Sequence, residues 1–333
     1  IMCGILGCFS NKSIDEVSFR KILDLTTHRG PDFQNQFFET NLQINKNIAL
    51  GHNRLSIIDP TSGSNQPFVD GEQILVFNGE IYNYKLLKDK LIKKDISFKT
   101  SGDTEVIIKY YQNFGIEKTL NELEGMFAFC LYDKKLNKVF LARDKFGVKP
   151  LLYYKNEDDL FFSSELKSIV KYYGSKHFSE DESAIASFYY HRYVLEPDTI
   201  FNEIHMLESG HYLVYDFQKS TLKDYLYWTP SISKTEIDEE KIIDQLDQRL
   251  FESVKNHLVS DVPISVAFSG GLDSSLILAM AKKINPKIKA FTVYRGPDDM
   301  DAKYATQIAN YLDLKIDLIN YNGNLKIQEI DYY

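Results

Sequence analysis

The chain opens on an apolar run, Cys3–Phe9, and then alternates short apolar stretches with polar breaks to about residue 215. Ile48–Leu50, Ile74–Phe77, Ala128–Tyr132, Val139–Ala142, Leu151–Tyr154 and Leu160–Ser163 have the length of strands. Turn residues punctuate them: Asp-Gly at 70–71, Asn-Gly at 78–79 and Lys-Leu-Asn-Lys at 135–138. Met126–Leu141 reads as a β-hairpin. Helical spacing of apolar residues occurs at Phe19–Thr27, Tyr84–Lys93, Thr104–Phe114 and Asp181–Tyr190. Asp103 stands where it could cap the third of these. Many strands with segregated helices predict an α+β layered domain over residues 1–215.

Between 216 and 236 the pattern thins, and Tyr-Trp-Thr-Pro-Ser-Ile-Ser-Lys is polar and turn-prone, so a linker is expected there. From 237 the order changes. A helical stretch, Glu239–Leu258, precedes Val262–Phe268 (strand), Leu276–Ile284 (helix), Ile288–Tyr294 (strand), Ala302–Leu312 (helix) and Lys315–Ile319 (strand). Alternating β and α elements imply a parallel sheet with crossover helices, hence a second, α/β domain over 237–333. No internal repeat or low-complexity tract interrupts either half.

Composition narrows the choice. Apolar residues make up 44% and charged residues 26%, with 22 Tyr and 22 Phe, which suits a globular chain with sizeable cores. A net charge of −8 argues against a broad nucleic-acid face, though not against a local anion site built from backbone amides. Three cysteines, Cys3, Cys8 and Cys130, are too few for a disulfide framework and lack metal-ligand spacing. A reducing, cytoplasmic setting is expected. No apolar run is long enough for a membrane span.

One segment of the second half carries phosphate chemistry. Val-Ala-Phe-Ser-Gly-Gly-Leu-Asp-Ser-Ser joins a predicted strand to a predicted helix. Ser269, Gly270 and Gly271 allow a tight turn with outward amides, and Ser274 and Ser275 add hydroxyl donors. The helix start adds its unpaired N–H groups. Asp273 is an odd choice beside a bare anion, and it makes sense as a Mg²⁺ ligand. The loop has neither the Gly-Lys-Ser/Thr of a Walker A loop nor Gly-x-Gly-x-x-Gly. Spacing alone leaves a plain Gly-Ser turn open as the alternative. The full string is more specific, and it resembles the pyrophosphate loop of the N-type ATP pyrophosphatases.

A cysteine in a strand is ordinarily a small core residue, and Cys8 and Cys130 are read so. Cys3 differs in standing at the chain start, where a free α-amine could serve as its base, and in being followed by Gly4. It is accompanied by motifs with no evident structural reason: Arg-Gly-Pro-Asp (29–32), Gly-His-Asn-Arg-Leu-Ser-Ile-Ile-Asp (51–59), Asn-Gly-Glu-Ile-Tyr-Asn (78–83), Ser-Gly-Asp-Thr-Glu (101–105), Gly-Met-Phe-Ala-Phe (125–129) and Leu-Ala-Arg-Asp-Lys-Phe-Gly-Val-Lys-Pro-Leu (141–151). In this order they resemble the class II glutamine amidotransferases, most closely the glutamine-hydrolysing asparagine synthetases. The likeness runs from Cys3 to about Tyr294.

The resemblance implies an N-terminal-nucleophile αββα sandwich followed by part of an ATP-pyrophosphatase-type domain. It implies Cys3 as nucleophile toward the glutamine side-chain amide, and Asn78 with Gly79 as the oxyanion hole. It implies Arg54 on the α-carboxylate of glutamine, Asp103 on its α-ammonium and Glu80 as a further polar contact. In the second half it implies ATP and Mg²⁺ as cofactors. Ser269, Gly270, Gly271, Asp273, Ser274 and Ser275 would surround pyrophosphate and metal, with Phe268 and Val293 at the adenosine. The substrates implied are glutamine, aspartate and ATP, and a homodimer stays open. Taken singly, each residue has a plainer reading: a type I′ turn for Asn78-Gly79, a helix cap for Asp103, a surface ion pair for Arg54. His28 and His52 are expected in structural hydrogen bonds, and Arg143, Asp144 and Lys149 in holding the domain together.

The sequence departs from the family in three places. Ile1 and Met2 precede Cys3, so a free α-amine requires their removal; translation is expected to begin at Met2. The family's synthetase domain runs beyond Tyr333 through an acidic Ser-Gly-Glu-Gly-x-Asp-Glu segment and a later lysine. The 333 residues are therefore expected to be part of a longer chain and, alone, to hydrolyse glutamine with little amide synthesis. Asp-Phe-Gln-Asn (32–35) lacks a frequent glycine and is expected to alter a loop near the glutamine pocket. Two other functions stay open: an amidotransferase with another carboxylate acceptor, and a non-catalytic scaffold. Class II enzymes with phosphoribosyl or sugar-isomerase partners would not need the Ser269–Ser275 loop.

Overall fold

The computed structural model describes residues 2–232, 238–296 and 298–321. The chain divides into two compact units, Ile1–Ile232 and Ser233–Tyr333.

The first unit begins with β1 (Gly4–Ser10), α1 (Glu16–Asp24), β2 (Phe33–Asn41), β3 (Lys46–Arg54), β4 (Phe68–Asp70), β5 (Gln73–Ile81), α2 (Tyr84–Ile92) and α3 (Asp103–Glu122). It continues with β6 (Gly125–Asp133), β7 (Lys138–Arg143), β8 (Leu152–Lys155), β9 (Asp159–Ser163), α4 (Leu166–Tyr173), α5 (Glu182–His191), β10 (Ile204–Met206), β11 (His211–Asp216) and β12 (Thr221–Leu226). Two antiparallel sheets result, ordered β10-β8-β9-β1-β3-β2 and β12-β11-β7-β6-β5-β4.

The period-two alternation of a strand sends its residues to opposite faces. Ile5 and Phe9 of β1, Ile48 and Leu50 of β3, and Ile74 and Val76 of β5 meet between the sheets with Cys130 and Tyr132 of β6. Leu6, Cys8 and Ala49 face the other way, onto Phe19 and Leu23 of α1 and Ile169 of α4. On the second sheet, α3 packs over β5, with Tyr111 donating to Asp133 at 2.8 Å and its ring against Phe140. The layers run helix, sheet, sheet, helix: the αββα sandwich.

Local chemistry sets the helix ends. Asp15 and Asp181 cap α1 and α5 by accepting from Ser18 and from Ser183 and Ala184. Gly115 breaks α3 with φ +77°, so the first helical segment stops at Phe114. Cys8 and Cys130 are buried free thiols inside the cores.

Three sequence expectations need correction. The presumed linker 216–236 holds β12, which pairs along its length with β11. Its side chains are largely exposed, so Thr-Leu-Lys-Asp-Tyr-Leu lacks the apolar signature of a strand. Asn78-Gly79 lies inside β5, not in a turn. The stretch from Phe33 is not a loop but the start of β2, an edge strand whose mixed burial hides its period.

The second unit contains α6 (Glu239–His257), β13 (Ser265–Ala267), α7 (Leu272–Ile284), β14 (Lys289–Tyr294), α8 (Met300–Tyr311) and β15 (Ile316–Asn320). The strands are parallel in the order β13-β14-β15. Val254, Phe268, Leu278, Ala281, Ala290 and Ala305 form its core. Among the described residues no helix is long and apolar enough to cross a membrane.

Candidate active site

The apolar space between the sheets turns polar at one end. Continuing the alternation, β3 adds His52 and Arg54 to the face of Ile48 and Leu50, and β5 adds Asn78 and Glu80 to that of Ile74 and Val76. Cys3, just before β1, shares the parity of Ile5. A cleft opens there, lined by Met2, Cys3, Arg54, Leu55, Gly79, Glu80 and Asp103 among others.

Cys3 is 9% exposed. The Leu55 N–H points at its Sγ at 3.3 Å, and Sγ lies 3.7 Å from the Leu55 carbonyl. Burial pushes the thiol up to about 11, against the opposing pull of the Leu55 amide and the Arg54 charge. Burial therefore favours the protonated thiol. Arg29 donates from Nε to the Cys3 carbonyl at 3.0 Å and from Nη1 to Glu165 at 3.1 Å. Asp32 accepts from the Ser56 amide at 2.8 Å, which ties the start of β2 to the Leu55 segment.

The outer edge of β5 supplies donors. Phe77 N–H donates to Gln66 Oε1 at 2.6 Å and Ile81 N–H to Asp103 Oδ2 at 3.0 Å. Strand alternation directs the Gly79 N–H between them, toward the same edge and the cleft. Only glycine fits there: a Cβ would lie 2.1 Å from the Met126 carbonyl oxygen of β6. Asn78 is fully buried, and both Oδ1 and Nδ2 of its side chain lack a hydrogen-bond partner among the described residues. Such orphaned amides cost free energy unless something pairs with them. Asn78 is not itself among the residues that line the cleft.

Asp103 is the first residue of α3, whose cap position is Gly102, so it does not cap the helix. Its carboxylate crosses to β5 instead. Burial pushes it up to about 7, and the neighbouring Glu80 adds to the rise, while the Ile81 amide opposes it. Arg54 is spent differently from the expectation. Nη1 donates to Thr61 O (2.8 Å) and Asn65 Oδ1 (2.7 Å), and Nη2 to Asp59 O (2.5 Å) and Ile58 O (3.3 Å). A guanidinium has five N–H donors, so only Nε–H remains for a ligand. Asp59 ties this loop to the start of α3 by accepting from Ser64 at 2.8 Å and Ser101 N at 2.9 Å.

The expected structural roles are visible. His28 pairs with Glu165 at 2.9 Å, and His52 Nε2 lies 3.1 Å from the Phe77 carbonyl. Arg143 donates to the Lys149, Leu207 and Gly147 carbonyls, and Asp144 accepts from the amides of Phe127, Phe146, Val148 and Lys149. Arg29 and Gln66 are contacts that motif reading did not assign. Arg29 sits in the Arg-Gly-Pro-Asp motif, which was the one signal available, and Gln66 has none.

The second unit gathers its candidates at the carboxyl ends of its strands, where parallel sheets bind ligands. Ser269, Gly270 and Gly271 follow β13, and Val293 lies near the end of β14. Gly270 has φ +78°, and a Cβ would lie 2.5 Å from the Ala305 amide. Gly271 caps α7 with no side-chain bond to the first amides. Ser274 Oγ donates to the Gly271 carbonyl at 3.2 Å, while the buried Ser275 Oγ has no partner among the described residues. Asp273 is exposed in the first turn. An uncapped helix start, an orphaned hydroxyl and a glycine held by close approach fit a phosphate group, and the exposed Asp273 carboxylate in the same helical turn offers oxygen donors of the kind a divalent cation takes. Phe268 N–H and carbonyl bond to Phe291 and Thr292 within the protein.

A buried thiol at the head of a central strand in an αββα sandwich matches the N-terminal-nucleophile fold class. Residues 2–228 match the glutamine amidotransferase domain, and the chain belongs to that family. Residues 245–329 match the asparagine synthase family. The chain is 32% identical over 319 residues to asparagine synthetase [glutamine-hydrolyzing] 1 of Bacillus subtilis, covering 92% of itself and 49% of the relative. It is 32% identical over 339 residues to asparagine synthetase B [glutamine-hydrolyzing] of Escherichia coli, covering 93% and 52%. Amidase chry2 of Gibberella zeae is 32% identical over 331 residues, at 93% and 48%. The chain thus spans about half the length of these relatives. The glutamine phosphoribosylpyrophosphate amidotransferase of B. subtilis complexed with ADP and GMP shares the fold at TM-score 0.51 and 13% identity, covering 96% of this chain and 81% of that one.

Proposed function

We propose that the first unit hydrolyses glutamine at Cys3 and that the ammonia serves an ATP-dependent synthesis of asparagine. The observation that carries the reading is that the buried Cys3 thiol and Gly79 line one cleft at the polar end of the sandwich, and that the residue adjoining Gly79, Asn78, carries an orphaned buried amide.

The Cys3 sulfur attacks the side-chain carbonyl carbon of glutamine. Its proton passes to the α-amine of Cys3, which is free once Ile1 and Met2 are removed, and then to the departing ammonia. Asn78 Nδ2–H and the Gly79 N–H receive the oxyanion. The glutamyl thioester left on Cys3 is hydrolysed by water to glutamate. Asp103 pairs with the α-ammonium of glutamine, and Glu80 adds a polar contact. Arg54 reaches the α-carboxylate through Nε–H, or through more donors if the 58–65 loop opens.

In the second unit Ser269, Gly270, Gly271, Ser274 and Ser275 would hold the pyrophosphate of ATP, Asp273 its Mg²⁺, and Phe268 and Val293 the adenosine. The family reaction there transfers AMP from ATP to the side-chain carboxylate of aspartate with release of pyrophosphate, and ammonia then displaces the AMP. The likeness to an amidase keeps a second reading, another carboxylate acceptor on the same ammonia source.

The test is a glutaminase assay together with AMP release by the intact protein, comparing aspartate with other carboxylates. Glutamate production and aspartate-dependent AMP release are expected. AMP release with another carboxylate and none with aspartate would replace the acceptor, and no glutamate at all would overturn the reading.

A further inference from the structure

His52 is fully buried on the face of β3 that looks into the space between the sheets, one alternation step deeper than Arg54. Its Nε2 lies 3.1 Å from the Phe77 carbonyl oxygen. A carbonyl only accepts, so Nε2 carries the proton. Burial pushes the imidazole down to about 3, which keeps it neutral. In a neutral ring with Nε2–H, Nδ1 is a bare acceptor. That atom has no partner among the described residues, and neither has Nδ2 or Oδ1 of Asn78, the residue next to Phe77.

Three buried, unpaired polar atoms therefore belong to two residues linked through Phe77: His52 bonds its carbonyl, and Asn78 is the next residue of the strand. Native interiors rarely leave such atoms unpaired, and a water that serves two to four polar partners is the usual solution. One water matches this set: its two hydrogens suit His52 Nδ1 and Asn78 Oδ1, and its oxygen accepts from Asn78 Nδ2. The second N–H of Nδ2 then remains for the cleft.

We propose that His52 is a positioning residue for Asn78, acting through a single buried water that fixes the orientation of the amide and so aims one N–H at the oxyanion. The inference rests on the glutaminase reading above. It separates two duties of His52. Nε2–H satisfies the Phe77 carbonyl at the open edge of β5, whereas Nδ1 sets the Asn78 amide.

His52→Gln keeps a donor and an acceptor, and His52→Leu removes both at similar volume. Glutamine hydrolysis by the intact protein is measured with each, and again with Asn78→Ala added, alongside melting temperatures. His52→Leu is expected to lower kcat about tenfold to a hundredfold, the range for a misplaced catalytic group, with KM changed less than about threefold. His52→Gln should recover most of the loss. In the Asn78→Ala background His52→Leu should cost less than about twofold further, because its target is gone. An undiminished effect in that background, or wild-type kcat for His52→Leu, overturns the proposal.

Should His52→Leu fail to fold, nitrogen NMR of the ¹⁵N-histidine-labelled wild-type protein decides. A proton on Nε2 with a hydrogen-bonded Nδ1 is expected, and a proton on Nδ1 overturns the proposal. Absence of glutaminase activity in the unsubstituted protein would instead strike the proposed function, and the NMR result would still judge His52.

Discussion

Cys3, Arg54, Asn78, Glu80 and Asp103 are buried at one end of the first unit, whereas Ser269, Gly271 and Asp273 stand in solvent at the end of a three-stranded sheet. The two regions use polar groups in opposite ways. In the cleft, burial moves charge states: the thiol and the Asp103 carboxyl are both pushed toward neutral forms. An incoming ammonium or a proton acceptor can then exert a large effect, because little water competes. In the loop, backbone shape supplies the chemistry: a glycine that nothing else can replace and a helix start whose amides stay available. The first site is tuned by desolvation, the second by geometry.

That contrast can be broken at its strongest point first. Asn78→Ala should lower kcat for glutamine hydrolysis about 10²–10³-fold, the usual cost of an oxyanion donor, with KM little changed. A loss confined to KM would move Asn78 from the transition state to ground-state binding.

The pH response comes next. In the free protein Asp103 ionises near 7, well above the ordinary carboxylate value of about 4. Since the folded value is raised, its contribution to stability falls as pH rises from about 4 to 7 and is level above. Ligand binding works in the other sense, because an ammonium needs the ionised carboxylate. The kcat/KM for glutamine should fall at least tenfold per pH unit below 7, and Asp103→Asn should remove the part of that fall that the carboxyl contributes, leaving the part set by the Cys3 α-amine. A flat profile in the unsubstituted protein would remove Asp103 from ammonium binding.

The smallest expected effect tests the independence of the loop. In Gly270→Ala a Cβ meets the Ala305 amide on a backbone at positive φ, so the second unit should lose about 1–3 kcal/mol. Denaturant unfolding monitors that loss, and the glutaminase rate should be unchanged. A parallel fall in glutaminase activity would show that the two sites are not separable.

The sequence was most legible where a strand is buried on both faces and reads as an unbroken apolar run. The strands from Cys3 to Phe9 and from Ala128 to Tyr132 are apolar and central, and the observed β1 and β6 lie there. The helical spacing over Thr104–Phe114 ends where Gly115 interrupts α3, but the helical turns beyond it to Glu122 left no clear signal. Edge strands were not. Phe33–Asn41 and Thr221–Leu226 bury little, so their patterns carry no clear period. Asn78-Gly79 looked like a turn pair locally, and only pairing with Ala128 and Phe127 makes it strand. The engagement of Arg54 by the 58–65 loop and the reach of Arg29 to Cys3 depend on contacts that no local window contains. Motif order supplied the candidate residues, and tertiary packing decided which of their atoms already have partners.

The central claim is that Cys3 is the nucleophile of a glutamine-specific cleft. It is tested most directly by exposing the intact protein to a diazo-ketone analogue of glutamine and mapping the adduct by mass spectrometry. The account predicts one equivalent of label on Cys3, prevented by glutamine, with the buried Cys8 and Cys130 unmodified. An unlabelled Cys3 in folded protein whose Ile1 and Met2 have been removed would contradict it and favour the non-catalytic scaffold.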